Sequence, residues 1–206
     1  MFNKIHTDLL KRSKNLKFLN EQISENGTQK ITAQKLDFFS FFVKTIISQQ
    51  INYLVAKRIW SKLENLFRMR KLSAYNYFKQ TPRKKILNEI PLSKSKISYI
   101  INIRKALEAR LIEEEKLKIL SNKKFSEKFQ KLKGVGPWTC NMYLIFFYQR
   151  LNVWPKNDLV INKVKNYILK TEAKNVNFEI QFSPYLSVLA MHFWKINSRI
   201  PLKNCI

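Results

Sequence analysis

Glycine is nearly absent from this chain. Its 206 residues hold three, at positions 27, 134 and 136. Aspartate is as scarce, at Asp8, Asp37 and Asp158. Two cysteines, Cys140 and Cys205, cannot supply a four-cysteine zinc or iron–sulfur site, and a disulfide framework is not expected from them. His6 and His192 are isolated in the sequence, so neither suggests a metal site. No apolar run approaches the roughly 20 residues of a membrane span. The first twenty residues are amphipathic and carry several lysines, unlike a secretory signal. A soluble protein without a membrane partner is expected.

What is plentiful is positive charge. Lys and Arg number 39 against 14 acids, a formal net charge of +25. A charge of this size points to a polyanionic partner, most often nucleic acid or an anionic membrane surface. With hydrophobic residues at 45% and aromatics at 13%, the chain is no disordered basic tail, and it is long enough to bury a real core.

The hydrophobic periodicity is helical nearly throughout. Ile5, Leu9, Leu10, Leu16 and Leu19 space as one amphipathic helix, and Leu36 to Ile47 is a strongly apolar stretch. Further helices are predicted from Leu54 to Phe67, Leu72 to Phe78, Pro82 to Ile90, Ser93 to Leu107, Glu113 to Leu120 and Lys124 to Lys131. Trp138 to Leu151, Leu159 to Lys170 and Pro184 to Ile196 complete the set. No hairpin signal or alternating strand stands out. The expectation is an all-α fold of about ten helices without repeats.

Two of the three glycines fall in one turn, Leu132-Lys133-Gly134-Val135-Gly136-Pro137, between predicted helices. Glycines allow close backbone approach, and proline pre-sets the first turn of the following helix. Amides at such a turn attract an anion, with Lys131 and Lys133 beside it. A bare Gly-x-Gly followed by Pro is also an ordinary helix connection. About two dozen residues later Asp158 precedes a predicted helix, where it suits an N-cap.

The flanks sharpen this. Leu132 to Thr139, reading Leu-Lys-Gly-Val-Gly-Pro-Trp-Thr, resembles the hairpin of the HhH-GPD DNA glycosylase superfamily. Pro155-Lys156-Asn157-Asp158-Leu159 looks like that family's Pro-x-x-Asp-Leu segment. Ile46-Ile47-Ser48-Gln49-Gln50-Ile51 is similar to a stretch of its alkylpurine branch. Ser93-Lys94-Ser95-Lys96-Ile97 matches a helix start of that branch more weakly. Ser183-Pro184-Tyr185-Leu186-Ser187, followed by Trp194, looks like its Pro-Tyr-Arg-Ser and terminal Trp, with Leu186 where the family has Arg. The resemblance runs over about residues 36 to 196, and its compact 3-methyladenine members match in size.

It implies a two-lobed helical fold with the active-site cleft between the lobes. One lobe would comprise about residues 1–47 plus 136–206 and the other about 48–135. The implied catalyst is Asp158, as a carboxylate that stabilises a cationic sugar and orients water, a role compatible with capping. The implied base pocket is Trp138, Trp194, Tyr143 and Met142. DNA contacts fall on Gln49, Gln50, Lys133, Gly134, Val135, Gly136 and Thr139, with Gln50 as the wedge that fills the gap left by a flipped base. Bifunctional relatives carry a nucleophilic Lys where this chain has Trp138, so a monofunctional enzyme without strand cleavage is implied.

Hydrolysis needs no cofactor, although the family hairpin can hold a structural Na+ or K+, here on the carbonyls of Gln130, Leu132 and Val135. The implied partner is double-stranded DNA with damaged bases, met by a monomer, in the cytoplasm with the nucleoid of a bacterium or in a eukaryotic nucleus. Two rivals stay open: a non-catalytic DNA-binding module, and a glycosylase of the same fold for hypoxanthine or mismatched bases.

Overall fold

Helices account for every regular element in the computed structural model, which describes residues 1–172 and 175–200. Thirteen α-helices and one π-helical turn lie among the described residues, and no strand does. They fall into two units, residues 34–142 and residues 1–33 with 143–206.

The middle unit holds α3 (Phe38–Ser48), α4 (Tyr53–Arg70), α5 (Ala74–Gln80), α6 (Arg83–Glu89), α7 (Lys94–Glu108), α8 (Glu114–Lys118), α9 (Asn122–Phe129) and α10 (Pro137–Met142). Helix α3 is its axis. Asp37 caps it, accepting from Ser40 N at 2.8 Å. Nine of its eleven residues are buried, so it packs on nearly every side, as a central helix must. Phe42 meets Phe129 edge-on at 6.3 Å, and Phe39 meets Phe78 at 6.1 Å. Side-chain caps by Asn52, Ser73, Ser93 and Ser121 start α4, α5, α7 and α9.

The terminal unit holds α1 (Phe2–Arg12), α2 (Lys17–Asn26), the π-turn Tyr143–Phe147, α11 (Leu159–Thr171), α12 (Phe178–Phe182) and α13 (Leu186–Arg199). Its core joins Leu9, Leu19, Ile23, Val164, Ile168, Leu189 and Phe193. Trp154 stacks on Phe178 at 6.3 Å and meets Phe193 edge-on at 5.5 Å.

The expected boundaries at 47/48 and 135/136 are corrected to 33/34 and 142/143. The reason is packing: α3 rests on α4, α5 and α7, and α10 rests on α3 and α9, all within the middle unit. The single helix expected over the first twenty residues is two. Ser13 folds its hydroxyl back to Leu9 O, and Asn20 Nδ2 donates to Leu10 O and Ser13 Oγ, which stabilises the break. The helix expected to reach Leu151 stops at Phe147. There Tyr148 N donates to Tyr143 O across five residues and Arg150 N donates to Leu144 O. The short α12 was not expected; five residues are too few to show a period.

Candidate active site and nucleic-acid interface

In the middle unit, α9 ends at Phe129 and α10 begins at Pro137. The turn between them contains Gly134 at φ +95, a left-handed backbone that side chains rarely adopt. A Cβ there would also lie 2.2 Å from Tyr99 Cγ, so the fold itself requires this glycine. Gly136 differs: a Cβ on it would meet nothing within 4 Å. The fold does not need it, and a backbone left bare beside open space is suited to close approach by a ligand. Lys131 and Lys133 flank the turn and are exposed.

The chain leaves α3 through Gln49 and reaches the tip of the next loop at Gln50, exposed and at φ +54. Gln49 points back. Its Nε2 donates to Gly134 O at 3.1 Å and to Thr139 Oγ1 at 2.9 Å. The loop and the hairpin are thus bonded to each other, a relation that neither segment shows in sequence. Thr139 is fully buried as the acceptor of this bond, so the contact to DNA expected of it is corrected to a structural one. Val135 is likewise buried, which leaves only its backbone for binding. The first turn of α4 after the loop presents Tyr53, Leu54 and Val55 outward, an apolar surface beside Gln50.

Two residues of α7 support both segments. Lys96 Nζ donates to Ile47 O at 2.9 Å and Gln49 O at 2.8 Å, and burial holds its ammonium below the usual lysine range. Tyr99, one turn on, lies against Gly134. Lys96 stood in a weak sequence match; Tyr99 left no signal. In the same unit Trp138 is half-buried and Met142 nearly buried. The Cys140 thiol is buried and pushed up to about 12, which makes it an inert core group. Cys205 lies outside the described residues.

In the terminal unit, the segment before α11 is anchored by Trp154 in its aromatic slot and by Ser187. Val153 N donates to Ser187 Oγ at 3.0 Å, and Ser187 Oγ donates to Arg150 O at 2.6 Å. A turn closed by Asp158 N on Pro155 O at 2.9 Å then delivers Asp158 to the start of α11. Its Oδ1 accepts from Val160 N at 2.9 Å and Ile161 N at 3.0 Å. The cap uses one carboxylate oxygen, fixes the rotamer and places the charge at a helix N-terminus. Asp158 is 8% exposed, while its neighbour Leu159 is 85% exposed.

Trp194 is half-buried, with its ring 5.7 Å from that of Phe146. Tyr143 was expected in the pocket with it. At 0% exposure and packed on Phe147 at 5.5 Å, it presents no surface to a base. Leu186, in the place of the family Arg, is buried. A guanidinium does reach this corner: Arg12 donates to Gln181 O at 2.9 Å and Ser183 O at 2.7 Å and lies over the Tyr185 ring.

No group of three or more metal-binding side chains occurs among the described residues. Nor is any helix among them long and apolar enough to cross a membrane.

No protein-family model matches the chain. Among curated proteins it is 24% identical to YfjP of Bacillus subtilis over 166 residues, 76% of this chain and 58% of that protein. It is 25% identical to DNA-3-methyladenine glycosylase 1 of Schizosaccharomyces pombe over 174 residues, 79% of this chain and 73% of that protein. The chain therefore spans little more than half of the first relative and about three quarters of the second. The fold is similar to that of the Schizosaccharomyces pombe 3-methyladenine DNA glycosylase Mag1 in complex with abasic DNA. The TM-score is 0.79 at 21% identity, over 98% of this chain and 99% of that one. It is also similar to a DNA-3-methyladenine glycosidase from Bacillus halodurans, with a TM-score of 0.72 at 19% identity, over 97% of this chain and 92% of that one. With the Gly134–Gly136 hairpin followed by a capped, nearly buried Asp158, the chain resembles the alkylpurine branch of the HhH-GPD DNA glycosylases in sequence, and its fold is similar to theirs.

Proposed function

We propose that this protein is a monofunctional DNA N-glycosylase of base excision repair that removes alkylated purines, of the 3-methyladenine and 7-methylguanine type, and leaves an abasic site. The observation that carries the reading is Asp158, a scarce residue held by its own helix in a single rotamer and nearly buried.

The bond between sugar C1′ and the purine breaks with its electron pair leaving on the base, which departs neutral if it was cationic. The sugar becomes an oxocarbenium-like cation. A fixed carboxylate stabilises that charge without reorganising, and it accepts a proton as water adds to C1′. Asp158 supplies this group. The target must first leave the stack, at a cost of a few kcal/mol. Gln50, exposed at its loop tip, takes the vacated place. The electron-rich faces of Trp138 and Trp194, and the side of Met142, receive the cationic ring. The backbone of Gly134, Val135 and Gly136 holds a phosphate, with Lys133 adding charge. The carbonyls of Gln130, Leu132 and Val135 suit a monovalent cation, which would neutralise phosphate charge locally. Leu132 O already accepts from Val135 N at 3.0 Å, so a cation would use its second lone pair. With Trp138 in the position of the lyase lysine, no Schiff base forms and the strand stays intact.

The cap bonds of Asp158 also favour a second reading, a binding module in which this residue only starts a helix. Incubation with duplexes bearing single defined lesions, then alkali and heat, separates the two. Cleavage after alkali supports the glycosylase. None on any lesion leaves the binding module, and breaks before alkali contradict monofunctional chemistry.

A further inference from the structure

The loop that carries Gln50 and the turn that carries Gly134 are far apart in sequence, yet a closed circuit of contacts joins them. From α7, Lys96 bonds the carbonyls of Ile47 and Gln49. From Gln49, the side-chain amide bonds Gly134 O and Thr139 Oγ1. From Gly134, the backbone lies on the Tyr99 ring, which returns to α7. Lys96 and Tyr99 are three residues apart and so share one face of that helix.

The composition of the circuit is unusual. A part-buried ammonium that bonds only carbonyls carries a desolvation penalty that no carboxylate offsets. An apolar side chain would fill the same space without it. What the ammonium does is satisfy the last carbonyls of α3, which have no partner within their helix, at the point where the chain must turn toward Gln50.

We propose that Lys96 and Tyr99 are positioning residues that hold the Gln50 loop and the Gly134–Gly136 turn as one rigid device, so that the wedge and the phosphate grip meet DNA at a fixed spacing. This inference rests on reading both segments as DNA contacts. Loosening either segment then loosens the other. A base flips efficiently only while the strand is gripped at the right distance, so the loss falls on the flipping and excision step more than on general attraction to DNA.

The test uses the full-length chain with Lys96→Met, Lys96→Arg and Tyr99→Ala. Hydrogen exchange is followed at the amides of residues 48–52 and 132–136. In Lys96→Met the protection of both segments is expected to fall together by about 10-fold. The single-turnover rate of excision from an alkylated duplex is expected to fall by about 10- to 100-fold, as for a misplaced catalytic geometry. Affinity for undamaged duplex, dominated by phosphate charge, is expected to change by less than about 3-fold. Lys96→Arg is expected to restore most of the rate.

Loosening of 48–52 alone, or an unchanged rate in Lys96→Met, overturns the proposal. If Lys96→Met does not fold, Tyr99→Ala decides. It touches Gly134, and the proposal requires that the 48–52 amides lose protection as well. If the wild-type chain excises nothing, the glycosylase reading fails, while the exchange measurements still decide the coupling.

Discussion

Gln49 and Gly134, 85 residues apart, are joined by a hydrogen bond of 3.1 Å from the Gln49 amide to the Gly134 carbonyl. The same nitrogen bonds the fully buried Thr139 hydroxyl. Gln49→Ala removes both bonds and leaves two acceptors without this donor. A loss of about 1–3 kcal/mol is expected in urea unfolding, since leaving a buried polar group unpaired costs more than the bond itself contributes. Gln49→Glu is expected to lose at least as much at neutral pH, because a carboxylate would face two oxygens. Wild-type stability in both variants would contradict this account of the bridge.

Asp158 combines a cap with a proposed catalytic carboxylate, and the two separate cleanly. Asn is as good a cap, so Asp158→Asn is expected to unfold within about 0.5 kcal/mol of wild type, whereas Asp158→Ala loses about 1 kcal/mol. Excision by either variant is expected to fall by at least about 100-fold, while affinity for duplex with an abasic-site analogue is kept in Asp158→Asn. Full activity in Asp158→Asn would leave the cap as its whole role.

The two hairpin glycines have opposite reasons for being glycine. Gly134→Ala meets both a left-handed backbone and the Tyr99 ring. A loss well above about 1 kcal/mol is expected by thermal or urea unfolding. Gly136→Val meets open space, and the residue before Pro137 favours the extended backbone that Val also prefers. Its stability is expected to stay within about 0.5 kcal/mol of wild type. Its affinity for DNA is expected to fall, because two methyl groups would stand where a phosphate approaches. Equal effects of the two substitutions in both assays would contradict the distinction.

Acidification is expected to unfold the terminal unit early. His192 is fully buried, bonded to Asn26 through Nδ1, and close to His6 and Lys195; burial, then the charge of those two neighbours, lowers its pKa from 6.5 to about 3. The unfolded chain therefore binds a proton that the folded chain refuses between these values. Stability from this residue is fully present above pH 6.5 and is lost as the pH falls toward 3, at up to about 1.4 kcal/mol per pH unit. Urea midpoints at pH 7, 6 and 5 should fall steadily in the wild type. His192→Gln should flatten that slope, and an unchanged slope would assign the acid sensitivity elsewhere.

Much of the fold was legible because helices announce their apolar face, and Phe38 to Ile47 announces a buried one. The hairpin was legible because the chain spends two of its three glycines there. Asp158 was legible for the same reason of scarcity. Periodicity does not reveal which neighbour a helix rests on, and so the lobe boundaries moved when α3 proved to rest on α4, α5 and α7. Nor does it separate adjacent residues at a helix start. Half-buried Trp138 and fully buried Thr139 are consecutive, as are Met142 and Tyr143, of which Tyr143 is fully buried against Phe147. The bonds of Lys96 and Gln49 join distant segments through single side chains, and no local pattern encodes them.

The division of the chain bears on how the protein is made. The terminal unit combines residues 1–33 with residues beyond 142, and the middle unit is a continuous insertion. During synthesis the helices on which α3 mainly rests, α4, α5 and α7, emerge in one stretch with it, so the middle unit can form first. Helices α1 and α2, although made before the middle unit, must wait for α11 to α13 to bury Leu9, Leu19 and Ile23. At ribosomal rates of about 5–20 residues per second, that wait lasts roughly ten seconds or more. In that interval these two helices, made before the middle unit yet buried after it, stay open to chaperones and proteases.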